Sequence, residues 1–119
     1  KGWESEPESK AVAEFTRSTS LDYVVAFHSQ GKVIYWQYGS NRPPNAQKIG
    51  GLMSAESGYP LDNAQGLSSY SGYKDWFIKE FNKPGYTVEV GEGKNPLPLS
   101  QFDEIYNDIL GILLLPAKL

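Results

Sequence analysis

At 119 residues the chain has the length of one domain, or of part of a larger one. Its apolar and aromatic content is enough for a packed core, and a net charge of −3 without any Lys/Arg stripe argues against a nucleic-acid partner and a polybasic membrane contact. The absence of cysteine excludes disulfides, thiolate zinc ribbons and a cysteine nucleophile, and leaves the compartment open.

The opening KGWESEPE has neither an initiator methionine nor a signal-peptide pattern, so a processed product or the later part of a longer protein is expected. Ser5-Glu6-Pro7-Glu8 reads as a helix start: Ser5 can cap, Glu8 completes a capping box, and Pro7 suits a first turn. The helix places Ala11, Val12 and Phe15 on one face and ends near Ser18-Thr19-Ser20. Leu21 to Phe27 is mostly apolar without clean alternation, which predicts a strand covered on both faces. After Ser29-Gln30-Gly31-Lys32, the run Val33 to Tyr38 predicts a second strand.

Asn41 to Asn45 is a loop, and a helix is predicted from about Ala46 to Ser57, with Ile49, Leu52 and Met53 inward and Gly58 as its stop. Tyr59 to Gly72 is a long polar loop rich in Gly, Ser and Tyr. A third helix, about Tyr73 to Asn82, ends at Lys83-Pro84-Gly85. Tyr86 to Val90 is a third strand whose alternation puts Glu89 opposite Val88 and Val90. A last helix starts near Ser100 with Asp103 as a capping acid, and buries Ile105, Ile109, Ile112 and Leu113. Its apolar end, Ile109 to Leu115, is too short to span a membrane and stops at Pro116.

Alternating helices and strands predict an α/β fold, part of a three-layer α/β/α sandwich on a mixed, mostly parallel sheet. Three strands make a thin sheet, so the chain reads as part of a larger α/β domain. In such sheets ligands gather beyond the carboxyl ends of the strands. His28, the only histidine, lies just past one strand, and Glu89 near the end of another. A neutral imidazole can bind zinc, and a nearby carboxylate can take a proton from an attacking water. The same residues also admit a plainer account, a hydrogen-bonded structural histidine and a solvent-facing glutamate.

His28-Ser29-Gln30, preceded by Tyr23 to Phe27 and followed by Val33 to Gly39, resembles the second zinc-histidine strand of the zinc carboxypeptidase family. Ser5-Glu6-Pro7-Glu8 is similar to the helix start before that strand, and Tyr86 to Val90 to the strand bearing the catalytic glutamate. Asn95-Pro96-Leu97-Pro98 and Ser100 to Asp103 fit the closing segment of a bacterial branch that includes γ-D-glutamyl-L-diamino-acid endopeptidases, which cut cell-wall peptides. The resemblance runs in order along essentially the whole chain. It implies that His28 is the second histidine of a His/Glu/His zinc site and that Glu89 is the general base. It implies substrate contacts at Tyr70, a tyrosine that folds over substrate, at Lys74, a position that selects the substrate side chain, and at Ser29. Tyr59 and Tyr73 are rivals to Tyr70. A cation at Lys74 would suit an acidic group such as a diaminopimelate carboxylate, although the plainer expectation is a solvated helix lysine.

The family's His-x-x-Glu motif and substrate-gripping arginines have no counterpart in this chain, and its two arginines, Arg17 and Arg42, match neither motif. Residues 1–119 are therefore expected to be the C-terminal part of one zinc carboxypeptidase-like domain, with Zn2+ completed only in the full-length enzyme and bound weakly or not at all by this part. Peptide or peptidoglycan stem peptides are the expected substrate, in an extracellular, cell-wall or spore-associated setting. Self-association through bared sheet edges is a further expectation. The competing reading is a peptide- or glycan-binding module that kept the fold without the metal.

Overall fold

The computed structural model describes residues 6–62 and 72–119. Its elements are α1 (Pro7–Ser18), β1 (Val24–Ser29), β2 (Val33–Tyr35), α2 (Ala46–Ser57), β3 (Leu61–Asp62), α3 (Tyr73–Phe81), β4 (Gly85–Val90) and α4 (Phe102–Leu114). The strands form one mixed sheet in the order β1-β4-β2-β3. β1 runs parallel to β4, β4 antiparallel to β2, and β2 parallel to β3.

Helices cover both faces, so the expected three layers are present. On one face Met53 and Ala46 of α2 and Ile112 near the end of α4 pack with Ile34, Tyr86 and Val88. There the Tyr86 hydroxyl donates to the Ala46 carbonyl at 2.6 Å. A Cβ on Gly50 would come within 2.9 Å of the Leu61 side chain and 3.2 Å of the Tyr86 ring, so glycine lets α2 lie flat on the sheet. On the other face Ala13 of α1 and Trp76 and Phe77 of α3 pack against Val24.

Helix α2 has the predicted bounds and ends on a left-handed Gly58, whose N–H donates to the Ser54 carbonyl at 2.8 Å. Helix α3 ends the same way on Asn82. The inward faces were read less well. Met53 is buried and Ile49 half-buried, but Leu52 is exposed. In α4 Ile112 is buried and Leu113 exposed; a 3-10 turn from Leu115 to Lys118 turns Leu115 into the core instead. Asp103 lies in the first turn, and Gln101 holds the N-cap position without a side-chain cap.

Helix α1 departs furthest from expectation. Ala11, Val12 and Phe15 face solvent, with Phe15 62% exposed. The neighbouring stripe, Ala13 and Thr16, is the buried one. Small residues there let α1 approach the aromatic cluster of α3, and the Thr16 and Tyr73 hydroxyls share a 2.7 Å hydrogen bond. Periodicity finds an apolar face; it does not say whether a neighbour covers it. Glu6 holds the N-cap position, and Ser5 lies outside the described residues.

Three differences in the strands have simple causes. β1 starts at Val24, not Leu21, because its ladder with β4 begins at Gly85, and the preceding Pro84 has no N–H to donate. β1 is an edge strand covered on both faces over its first half, with Val24 in one cluster and Val25 against the other, and it is exposed from Phe27 onward. β2 ends at Tyr35; beyond it the Gln37 carbonyl is taken by the Lys74 ammonium. β3 was not predicted, since two residues are too few to show a period.

Candidate active site

The parallel ladder of β1 on β4 runs rung by rung from Val24 with Gly85 to Ser29 with Val90. Its fifth rung joins His28 to Glu89. Parallel neighbours lie about 4.8 Å apart, and residues on one rung project to one face. That face is opposite Tyr86 and Val88, hence the α1/α3 side of the sheet. Sequence spacing placed the two residues near strand ends; the register makes them neighbours. His28 lies within β1 rather than just past it.

The imidazole end of this pair is exposed, and Glu89 is half-buried. Burial pushes the Glu89 carboxyl above the usual carboxylate range, and the charge of His28 pulls it partly back. The turn after β1 folds over Glu89. A Cβ on Gly31 would meet the Glu89 Cβ at 3.4 Å, and the Gly31 N–H donates to the Gly91 carbonyl at 2.8 Å. With φ near +150°, Gly31 holds a backbone shape that L side chains rarely adopt.

Ser29 follows His28 at the exposed end of β1, and its hydroxyl donates to the Asn95 Oδ1 at 2.7 Å. Lys74 is the clearest correction. It is not a solvated lysine but a buried one, 4% exposed, paired with Asp75 and donating to the Gln37 carbonyl. It packs beside Gly85, at the other end of β4 from Glu89. Four residues of strand put roughly 13 Å between those positions.

Tyr70 lies outside the described residues. Its two rivals are engaged in packing. The Tyr59 hydroxyl donates to the Asp108 carboxylate at 2.9 Å, and the Tyr73 hydroxyl is shared with Thr16. Burial and the Asp108 charge push the Tyr59 phenol up. Arg17 and Arg42 lie over the rings of Trp76 and Trp36, 5.3 and 5.8 Å from the centroids. Gly31 carried no chemical signal of its own in sequence and Asn95 was read only as part of the closing segment; the fold brings Gly31 against Glu89 and Asn95 against Ser29.

An exposed imidazole with a carboxylate on the same face is a donor set that zinc accepts. Among the described residues no three His, Asp or Glu side chains converge on one point, so His28 and Glu89 form a pair and not a full ligand set. The zinc carboxypeptidase family profile matches residues 2–110. The chain belongs to the zinc carboxypeptidase family. It is 49% identical over 110 residues to gamma-D-glutamyl-L-diamino acid endopeptidase 1 of Lysinibacillus sphaericus, and 40% identical over 109 residues to the uncharacterized protein YqgT of Bacillus subtilis (strain 168). Each match covers 92% of this chain but only 27% and 29% of the relatives, so the chain spans little more than a quarter of their length. As in the family, the matched segment carries an α/β fold.

Proposed function

We propose that this chain is the C-terminal part of a zinc peptidase domain that hydrolyses an amide bond in peptidoglycan stem peptides. The observation that supports it best is the His28–Glu89 rung in a chain of this family. A catalytic zinc takes three protein ligands, and the sequence holds a single histidine. The remaining ligands and the substrate-gripping arginines then come from outside these 119 residues, which matches the small share of each relative that the chain covers.

His28 would hold the metal through its exposed imidazole. When bound, zinc supplies a Lewis acid for the scissile carbonyl and for the attacking water. Glu89 takes the proton from that water and delivers it to the leaving amine. Its half-buried carboxyl has its proton affinity raised by desolvation, the direction that favours taking a proton. The turn at Gly31 lies close against the base of the Glu89 side chain.

The substrate class rests on the name of the Lysinibacillus relative, and it implies an exported, cell-wall or spore-associated enzyme. The test is cleavage of a synthetic γ-D-glutamyl-diamino-acid peptide by the full-length protein, with and without a chelator. Chelator-sensitive cleavage is expected; a full-length protein that neither binds zinc nor cleaves this peptide would overturn the reading. The isolated chain is expected to bind zinc weakly and to be inactive. Tight stoichiometric binding by it would show that the ligand set is not shared with another segment.

A further inference from the structure

β1 is the edge of the described sheet, and its last residues, where His28 lies, are exposed. β4 holds the strand from one side only, and the ladder stops at Ser29 with Val90. Beyond it the Gly31 N–H donates to the Gly91 carbonyl at 2.8 Å, and something further holds Ser29 between that bond and the last rung.

The loop after β4 does so through side-chain amides. Asn95 brackets a single residue: its Oδ1 accepts from the Ser29 hydroxyl at 2.7 Å, and its Nδ2 donates to the Ser29 carbonyl at 3.2 Å. Both the side chain and the main chain of the residue next to His28 are thereby held. The loop is itself anchored to the turn leading into α4. Gln101 donates from Nε2 to the Glu92 carbonyl at 2.8 Å and accepts from the Glu92 N–H at 3.1 Å. Lys32, in the turn after β1, bridges Glu92 at 3.2 Å and Glu104 of α4. The Asn95 amide thus adds side-chain bonds to the end of β1 beside the backbone bond from Gly31 to Gly91, and the Gln101 amide holds the loop that carries Asn95.

We propose that Asn95 is a positioning residue for the metal-binding end of β1, acting through Ser29 on the placement of His28. The proposal rests on the reading of His28 as a zinc ligand. Groups hydrogen-bonded directly to a metal ligand typically change affinity about 10- to 100-fold when removed, and Asn95 acts one residue further out, so a smaller effect is expected. A residue that merely tidied a surface loop would leave metal affinity alone.

The experiment is chelator-competition measurement of the zinc Kd of the full-length protein, with thermal unfolding of the zinc-free forms alongside. Asn95→Ala is expected to weaken zinc binding severalfold, up to about tenfold, with little change in zinc-free Tm, since both bonds are solvent-exposed. Asn95→Asp keeps an acceptor for the Ser29 hydroxyl but loses the donor to the Ser29 carbonyl, and is expected to weaken binding similarly. Ser29→Ala should cost less, and the double variant less than the product of the two single effects, because both report on one clamp. Wild-type Kd in folded Asn95→Ala and Asn95→Asp would overturn the clamp alone. Absence of zinc binding by the wild-type full-length protein would overturn the clamp together with the proposed function. If Asn95→Ala does not fold, Asn95→Asp decides.

Discussion

The two faces of the sheet do different work. The α2/α4 face is a continuous apolar core in which Met53, Ile34, Tyr86 and Val88 are fully buried. The α1/α3 face has a smaller aromatic cluster, a buried Lys74–Asp75 pair and, at the carboxyl ends of the strands, an exposed histidine beside a half-buried glutamate. One face supplies apolar burial; the other accepts desolvated charge that burial alone disfavours. Groups needed for proton transfer and metal binding are commonly found where local stability is given up.

The largest effect expected from breaking this contrast is chemical. On the proposed reading Glu89→Gln removes the base but keeps the shape, so kcat of the full-length protein should fall about 10²- to 10⁴-fold. Urea unfolding of the same variant should show no loss of stability, because a half-buried charge has been replaced by an uncharged amide. Lys74→Ala comes next. Removing the buried ammonium that pairs with Asp75 and bonds the Gln37 carbonyl should cost about 3–5 kcal/mol in the same urea assay, and a loss below about 0.5 kcal/mol would restore the picture of a solvated lysine. On the opposite face Met53→Ala should cost about 2–5 kcal/mol through lost burial and a cavity.

Alkaline pH separates the faces in another way. Desolvation pushes the phenols of Tyr86 and Tyr59 above their ordinary range. Both stay protonated in the folded state at pH values where the unfolded chain has begun to ionise. Their contribution is therefore complete below about pH 10 and is lost as pH rises beyond it. Spectrophotometric titration should show a delayed phenolic transition that coincides with unfolding, and Tyr86→Phe should reduce the alkaline loss of stability. The smallest effect belongs to the outer face of α1: Phe15→Ser should change stability by no more than about 0.5 kcal/mol in this chain, as read by Tm.

Much of this was legible in the sequence because it depends on local chemistry. Gly58 stops α2, and Pro84 with Gly85 marks where β4 begins. Glu89 alternates away from Val88, as the pleat requires. What was not legible depends on which partner arrives. Val12 and Phe15 make an apolar stripe as regular as the one Met53 belongs to, yet one is bare and the other covered. Lys74 looked like any helix lysine until the fold put Asp75 and the Gln37 carbonyl around its ammonium. The pairing of His28 with Glu89 joins residues far apart in sequence, and no spacing rule supplies that register. The resemblance to the family named both residues, and the ladder then supplied a physical reason for their proximity.

The start of that ladder at Pro84 also works as the zero mark of a ruler. Counting from Gly85 and Val24, both strands take the same number of steps to reach Glu89 and His28. A residue inserted anywhere between Val24 and His28 would turn the imidazole to the opposite side of the sheet, while the carboxylate stayed where it is. An insertion between Gln30 and Lys32 would leave the count intact. Length changes just after the histidine should therefore alter the Gly31 turn but keep the His28–Glu89 rung, whereas those just before it break the rung, although the two segments are only a few residues apart.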